Sequence, residues 1–534
     1  MKHVRPLVFW PPFALLSAGI IFSFVDKEGF FALASAANTW VLQTFDQAFI
    51  WGALLILATS IFAALMPFGG TRIGGPDAKP MLKKWNWVAV SLCTNTAVGI
   101  LFWASAEPMY HLSSPPKSLG LVAGSEAAGE FALSTLFMHW SFVPCAIYAL
   151  PAVMFGFAFY NMKQSFSLSS TLAPLLGNRI SKKLGSVVDS ICVYALVAGM
   201  SASLATGVLT LSGGLQHLYG IESNKTSWLI VTFAIVATFI ASASTGLKRG
   251  ISFLSNINMW VFFLLAGFVL VVGPTLFIGS FGLQSLGHFF SGFLENATFA
   301  KFLPEDSWPK DWTVFYWANW LAWAPVTAVF LGRIGYGYTV RANFLVNLVI
   351  PALFAIVWMS IFGGTAIYME LFESTGLTTL LTSKGPEALI YAMFAKFPLA
   401  QFVIPLFLFS VFISYVSGAD ANTSAMAGMS SKEISTENTE PRNGIKIVWG
   451  VAIGIISVVM LTAAGIDGIK MMSNLGGLPA LFFEILVALS VIIVALRPQR
   501  FDVFSKNAVT NVSTVGVETP ATAGVELVRP LEAE

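Results

Sequence analysis

The sequence predicts an all-α polytopic membrane protein of about twelve transmembrane helices, and three observations predict it. Hydrophobic residues make up 56% of the 534 residues and charged ones only 10%, against roughly 25% charged in soluble globular chains. Apolar runs recur from residue 7 to residue 496 with no polar interlude long enough for a soluble domain. Alternating β-barrel patterning is absent, so the backbone polar groups of these runs have to be satisfied inside helices.

Stretches long enough to cross about 30 Å of hydrocarbon lie near residues 7–25, 47–66, 86–106, 132–159, 187–215, 227–245, 254–279, 313–335, 342–368, 399–424, 445–466 and 471–496. The first follows Lys2 and Arg5 and could pass for a signal peptide. It is long for that role, and the small-residue triplet Ala34-Ser35-Ala36 lies too far beyond it to be a natural cleavage site. Alternating the connections between two sides places 21 of the 29 lysines and arginines on the side of the N-terminus. Both termini are therefore expected in the cytoplasm, with the protein in the cell inner (plasma) membrane. The external connections 280–312 and 369–398 carry amphipathic stretches, expected to lie along the interface or to cap a vestibule, and the tail 497–534 has the composition of a disordered segment.

Composition also narrows function. A net charge of +2 without a basic stripe gives no footprint for nucleic acid. Cys93, Cys145 and Cys192 show neither metal-ligand spacing nor a disulfide framework. The five histidines, His3, His111, His139, His217 and His288, are scattered without pairing at ligand spacing, so an embedded enzyme is not expected, and no filter motif points to a channel. A secondary transporter for a small zwitterionic organic solute fits the remaining features.

Polar and aromatic residues inside four spans carry that expectation. Asn95 lies between two threonines in the third span, as a substrate-binding amide or as glue between helices. In the eighth span Trp317, Trp320 and Trp323 recur every three residues, close enough to helical spacing to share a broad face, with Tyr316 beside the first. Such indoles can enclose an alkylated cation, each worth up to about 2 kcal/mol when desolvated. Trp312, near the entry of that span, reads instead as part of an interfacial aromatic belt. In the fourth span Trp140 and Tyr148 stand about two turns apart with Pro144 between them, and in the tenth Ser414-Tyr415-Val416-Ser417-Gly418-Ala419-Asp420 either exposes oxygens to a sodium ion or forms a small-residue packing seam. Glu484, inside the last span, is either a proton-coupling site or a carboxyl that is protonated or faces water.

Phe102-Trp103 with Ala106-Glu107-Pro108-Met109-Tyr110-His111, the run Ser244-Thr245-Gly246-Leu247-Lys248-Arg249-Gly250-Ile251 through Asn258, and the tryptophan segment ending Gly332-Arg333-Ile334 resemble the betaine/choline/carnitine transporter family over residues 7–496. The resemblance implies alternating access by two inverted repeats, helices 3–7 and 8–12. The chain then divides into 1–85, a first repeat at 86–279, an external connection at 280–312, a second repeat at 313–496 and the tail 497–534. It further implies a possible homotrimer and places Trp140, Tyr148, Trp320 and Trp323 at substrate-box positions. Ser417, with Ser201 and Ser203 on helix five, is then a candidate sodium ligand, sodium being the expected coupling ion and no other cofactor being called for. A proton-coupled carrier or a substrate exchanger of the same fold is the alternative.

Three departures from the family pattern matter. Only Gly99 survives of a glycine-rich segment in helix three, Cys145 stands for a box tryptophan, and Asn319 stands for the first of two helix-eight tryptophans. The amides of Asn95 and Asn319 raise the hypothesis of a less methylated, N–H-bearing solute, taurine-like or amino-acid-like, against the rival of an ordinary quaternary ammonium.

Overall fold

The structure, a computed structural model, describes residues 4–96, 98–177, 181–245, 247–300, 302–432 and 441–505. Most of the tail expected to be disordered, from residue 506, lies outside these. Among the described residues ten helices are long and apolar enough to cross a membrane, and the bent pair Lys84–Thr96 and Gly99–Ser113, forming the third span, makes eleven. The twelfth comes from the continuous segment Asn443–Leu496, where Gly465 adopts φ 55° and ψ −129°, a left-handed break that only glycine takes without strain. The spans are thus Pro6–Val25, Lys27–Leu65, the bent pair, Glu126–Tyr160, Lys182–Tyr219, Lys225–Thr245, Leu247–Val272, Phe315–Ile334, the segment from Val340 to Phe372, Ala400–Met429 and the two halves of Asn443–Leu496.

Local chemistry sets the interruptions. The fourth span breaks at Ser141 (φ −105°, ψ −113°), between Glu126–Trp140 and Phe142–Tyr160. Pro144 explains the place: it cannot donate to the carbonyl of residue 140, and its ring crowds that carbonyl. The seventh span ends at Val272, seven residues before the sequence expectation, because Gly273-Pro274 stops it, and Thr275–Ala297 then forms a separate helix. That helix lays one side on the bundle: Phe289 packs against Phe137 and Phe142 while Leu276, Leu283 and Leu294 stay exposed. A π-helical turn, Lys310–Val314, leads into the eighth span.

Lipid offers little hydrophobic gain for helix association, so close packing of small residues has to hold the spans together. A Cβ on Gly332 in the eighth span would come within 2.5 Å of the Ala152 carbonyl in the fourth, and one on Gly477 in the twelfth within 2.3 Å of the Ala318 carbonyl. Glycine at these two crossings clamps the eighth span, backbone to backbone, between its neighbours.

Candidate functional site

The clamped eighth span presents its aromatic face to the fourth. Trp140, at the last turn before the Ser141 break, meets Trp320 edge to face with ring centroids 5.2 Å apart and planes at 85°. Tyr148, in the next helical segment, reaches the same indole at 5.5 Å and 74°. Three of the four rings named from sequence therefore form one box, joined by Tyr316 at 5.6 Å from Trp140. Gly99, just after the bend of the third span, approaches so closely that a Cβ there would lie 3.0 Å from the Trp140 ring.

Trp323 is buried but stands apart, with no ring contact to Trp140, Tyr148 or Trp320 among the described residues. It packs on Gly199 of the fifth span, where a Cβ would meet its ring at 2.9 Å. Asn319 faces the twelfth span and accepts a hydrogen bond from the Ser473 hydroxyl at 2.9 Å. Asn95 donates from Nδ2 to the Ser91 carbonyl one turn back at 2.8 Å, and its Oδ1 is buried without a partner.

The candidate sodium ligands come from neighbouring segments, since the Tyr415 hydroxyl donates to the Met200 carbonyl at 3.0 Å and ties the tenth span to the fifth. Their hydroxyls turn back on their own helices: Ser201 donates to the Val197 carbonyl at 2.7 Å and Ser417 to the Ser414 carbonyl at 3.3 Å. Ser203 is half-buried on the same helix as Ser201.

Two sequence expectations need correction. The histidines are not all scattered: His111 and His139 converge on Glu107, and all three side chains are fully buried. Glu107 Oε1 lies 2.6 Å from His139 Nδ1 and 3.3 Å from His111 Nε2. Its Oε2 accepts the Trp140 indole N–H at 2.8 Å and the Tyr316 hydroxyl. His139 Nε2 contacts the Thr313 hydroxyl at 2.9 Å, and the His139 carbonyl accepts the Trp320 N–H at 2.9 Å. The second correction concerns Trp312, which is buried rather than in a lipid-facing belt. Its ring lies edge-on to His111 at 4.6 Å and to Trp103 at 6.1 Å, with the Lys470 ammonium 3.8 Å above it.

Long-range convergence hid the histidine pair, because residues 111 and 139 lie on different spans. One local signal was present, since Glu107 and His111 are four residues apart and so share a helix face. Glu107, His111 and His139 offer three donor atoms within 4.8 Å of one another, the kind of group that can take a metal ion. Here both imidazoles point at a single carboxylate oxygen, so the cluster is built as a hydrogen-bonded hub.

A bundle of continuous and broken apolar helices around a buried aromatic and polar centre defines a membrane carrier. The chain belongs to the betaine/carnitine/choline family of transporters, whose model matches residues 7–500. It is 29% identical over 497 residues to the glycine betaine transporter OpuD of Bacillus subtilis (strain 168), covering 92% of this chain and 94% of that one. The ectoine/hydroxyectoine transporter of Virgibacillus pantothenticus is also 29% identical, over 88% of this chain and 93% of its own length. For the high-affinity choline transport protein of Escherichia coli (strain K12) the figures are 29%, 90% and 70%. The protein is a multi-pass membrane transporter and not an enzyme.

Proposed function

We propose that this protein takes up a small solute with a quaternary ammonium group, drawn into the box of Trp140, Tyr148 and Trp320, by sodium-coupled alternating access with both termini in the cytoplasm. The observation that carries the substrate class is the convergence of those three rings, from two spans, to 5.2–5.5 Å. A methylated ammonium has no N–H to donate and is met best by aromatic faces. Relatives named for glycine betaine and for choline, both trimethylated ammonium compounds, agree with that chemistry.

Asn319 weighs against a less methylated substrate, because its oxygen is engaged with Ser473 at the seam to the twelfth span. Sodium coupling rests on the resemblance and on the nearness of the Ser417 and Ser201 segments that Tyr415 ties together.

Competition against labelled solute in proteoliposomes tests both parts. Glycine betaine or choline is expected to compete at lower concentration than taurine or any other N–H-bearing zwitterion, and the reverse order would remove the quaternary reading. Uptake is expected to fall when potassium replaces sodium. Indifference to that exchange would leave proton coupling or exchange as the mechanism.

A further inference from the structure

We propose that Glu107 is a positioning residue for the aromatic box, acting as a hydrogen-bond acceptor rather than as a charge or a proton carrier. This rests on the box being the solute site. Glu107 comes from the third span, His139 and Trp140 from the fourth, and Tyr316, Thr313 and Trp320 from the eighth or its entry turn. One carboxylate thus meets four donors from three segments, and its reach extends further through the His139 carbonyl to Trp320.

The donors fix ring orientation. An indole N–H or phenol O–H has a defined direction, so holding Trp140 and Tyr316 on one oxygen leaves each ring little freedom about its χ angles. Trp140 and Trp320 are kept edge to face at 85° because the N–H of each is anchored, one on Glu107 and the other on the residue that Glu107 also holds. Rings free to rotate would have to be ordered again for each solute bound, which lowers affinity.

The network also predicts which substitution it tolerates. With Glu107 accepting at Oε1, His139 donates from Nδ1 and accepts the Thr313 hydroxyl at Nε2, while His111 donates from Nε2 and its buried Nδ1 has no partner. Glutamine has the same shape and two amide hydrogens. With its oxygen toward Trp140 and Tyr316, those hydrogens point at His139 Nδ1 and His111 Nε2. Both imidazoles can accept by changing tautomer, and His139 then donates to Thr313 from Nε2. Each contact is remade without the charge. Leucine, of similar volume, remakes none and leaves four polar groups without that partner, the Trp140 N–H and the Tyr316 O–H among them.

The test is uptake kinetics, with surface delivery measured, for Glu107→Gln, Glu107→Leu and Tyr316→Phe beside Trp320→Ala. Glu107→Gln is expected to keep KM within about threefold of the native value and to leave the pH profile unchanged, whereas Glu107→Leu raises KM about tenfold or more with a smaller change in maximal rate. Tyr316→Phe keeps the ring, loses one donor and is expected to raise KM about two- to fivefold, which keeps the inference testable if the leucine variant fails to reach the membrane. A glutamine variant as impaired as the leucine variant would show that charge or a proton matters and overturn the proposal. So would a native KM in both Glu107→Leu and Tyr316→Phe, provided Trp320→Ala raises KM. If Trp320→Ala itself leaves KM unchanged, the box is not the solute site, a different failure from that of the positioning role.

Discussion

Glu107 and Glu484 are both fully buried acids inside membrane spans, yet their surroundings are opposites. Glu107 meets four donors from three segments of the chain, and both oxygens of Glu484 lack a hydrogen-bond partner among the described residues. An ionised carboxylate in a low-dielectric interior is costly unless donors compensate it. One acid is therefore wired into the rings of the proposed site, and the other has no such wiring among the described residues. Burial of an acid does not by itself mark function; the donors around it do.

The largest expected effect lies at the far end of the Glu107 network. Trp320 contacts Trp140 and Tyr148 by its ring and is anchored by its N–H, so Trp320→Ala removes the central wall of the box. Loss of a buried aromatic wall together with its cation–π attraction, on the order of 2–4 kcal/mol, corresponds to about thirtyfold or more in apparent affinity. Trp323→Ala, on the Gly199 face, is expected to alter affinity less. Equal losses in the two variants, at matched surface levels, would show that the box extends to Trp323 and break the distinction drawn from ring contacts.

A half-buried acid sharpens the comparison because it lies outside the spans. Glu387 follows Gly385-Pro386 in the connection before the tenth span, and its backbone and side chain crowd Gly213, where a Cβ would come within 3.0–3.2 Å. Burial pushes its carboxyl from 4.5 up to about 6. Since the folded state holds this proton more tightly than the unfolded chain, the stabilisation is fully present below pH 4.5 and is lost as pH rises through about 6. Glu387→Gln stays neutral throughout, so its thermal midpoint is expected above the native one at pH 7.5, by a difference on the order of 1–2 kcal/mol, and equal to it near pH 4.5. An identical shift at both pH values would mean that the side chain's packing, not its ionisation, sets the difference.

The contrast between these acids also shows what the sequence could reveal. Span number followed from apolar run length, and ring identity from residue type, because both are local properties. The bend after Thr96 did not show, since the residues around it read as a continuous apolar helix. Neither did the start of the second span at Lys27, twenty residues before its apolar run, where Asn38 accepts from Asn474 at 2.8 Å. Trp320 and Trp323 are three residues apart, which puts them on one broad face, yet one meets the fourth span and the other the fifth. Helical spacing gives direction along one helix but not which neighbour stands there. The hub at Glu107 needed three segments to be brought together, and only its contact with His111 was within reach of a local pattern.

The smallest effect is expected at the acid that drew attention from sequence. Glu484 stands in Leu481-Phe482-Phe483-Glu484-Ile485, and Leu481 and Ile485 on either side of it press against Gly52 of the second span, where a Cβ would meet them at 2.5 and 3.3 Å. With no donor at either oxygen among the described residues, exchanging the acid for its amide removes no hydrogen bond seen there, and glutamine fills the same volume. Glu484→Gln is therefore expected to leave the pH profile of uptake and the solute KM unchanged, with stability altered by no more than about 1 kcal/mol. A profile that flattens in this variant would show that the carboxyl exchanges a proton during transport. Glu484 would then have to gain a partner in another conformation, and the contrast with Glu107 would hold for this state of the carrier alone.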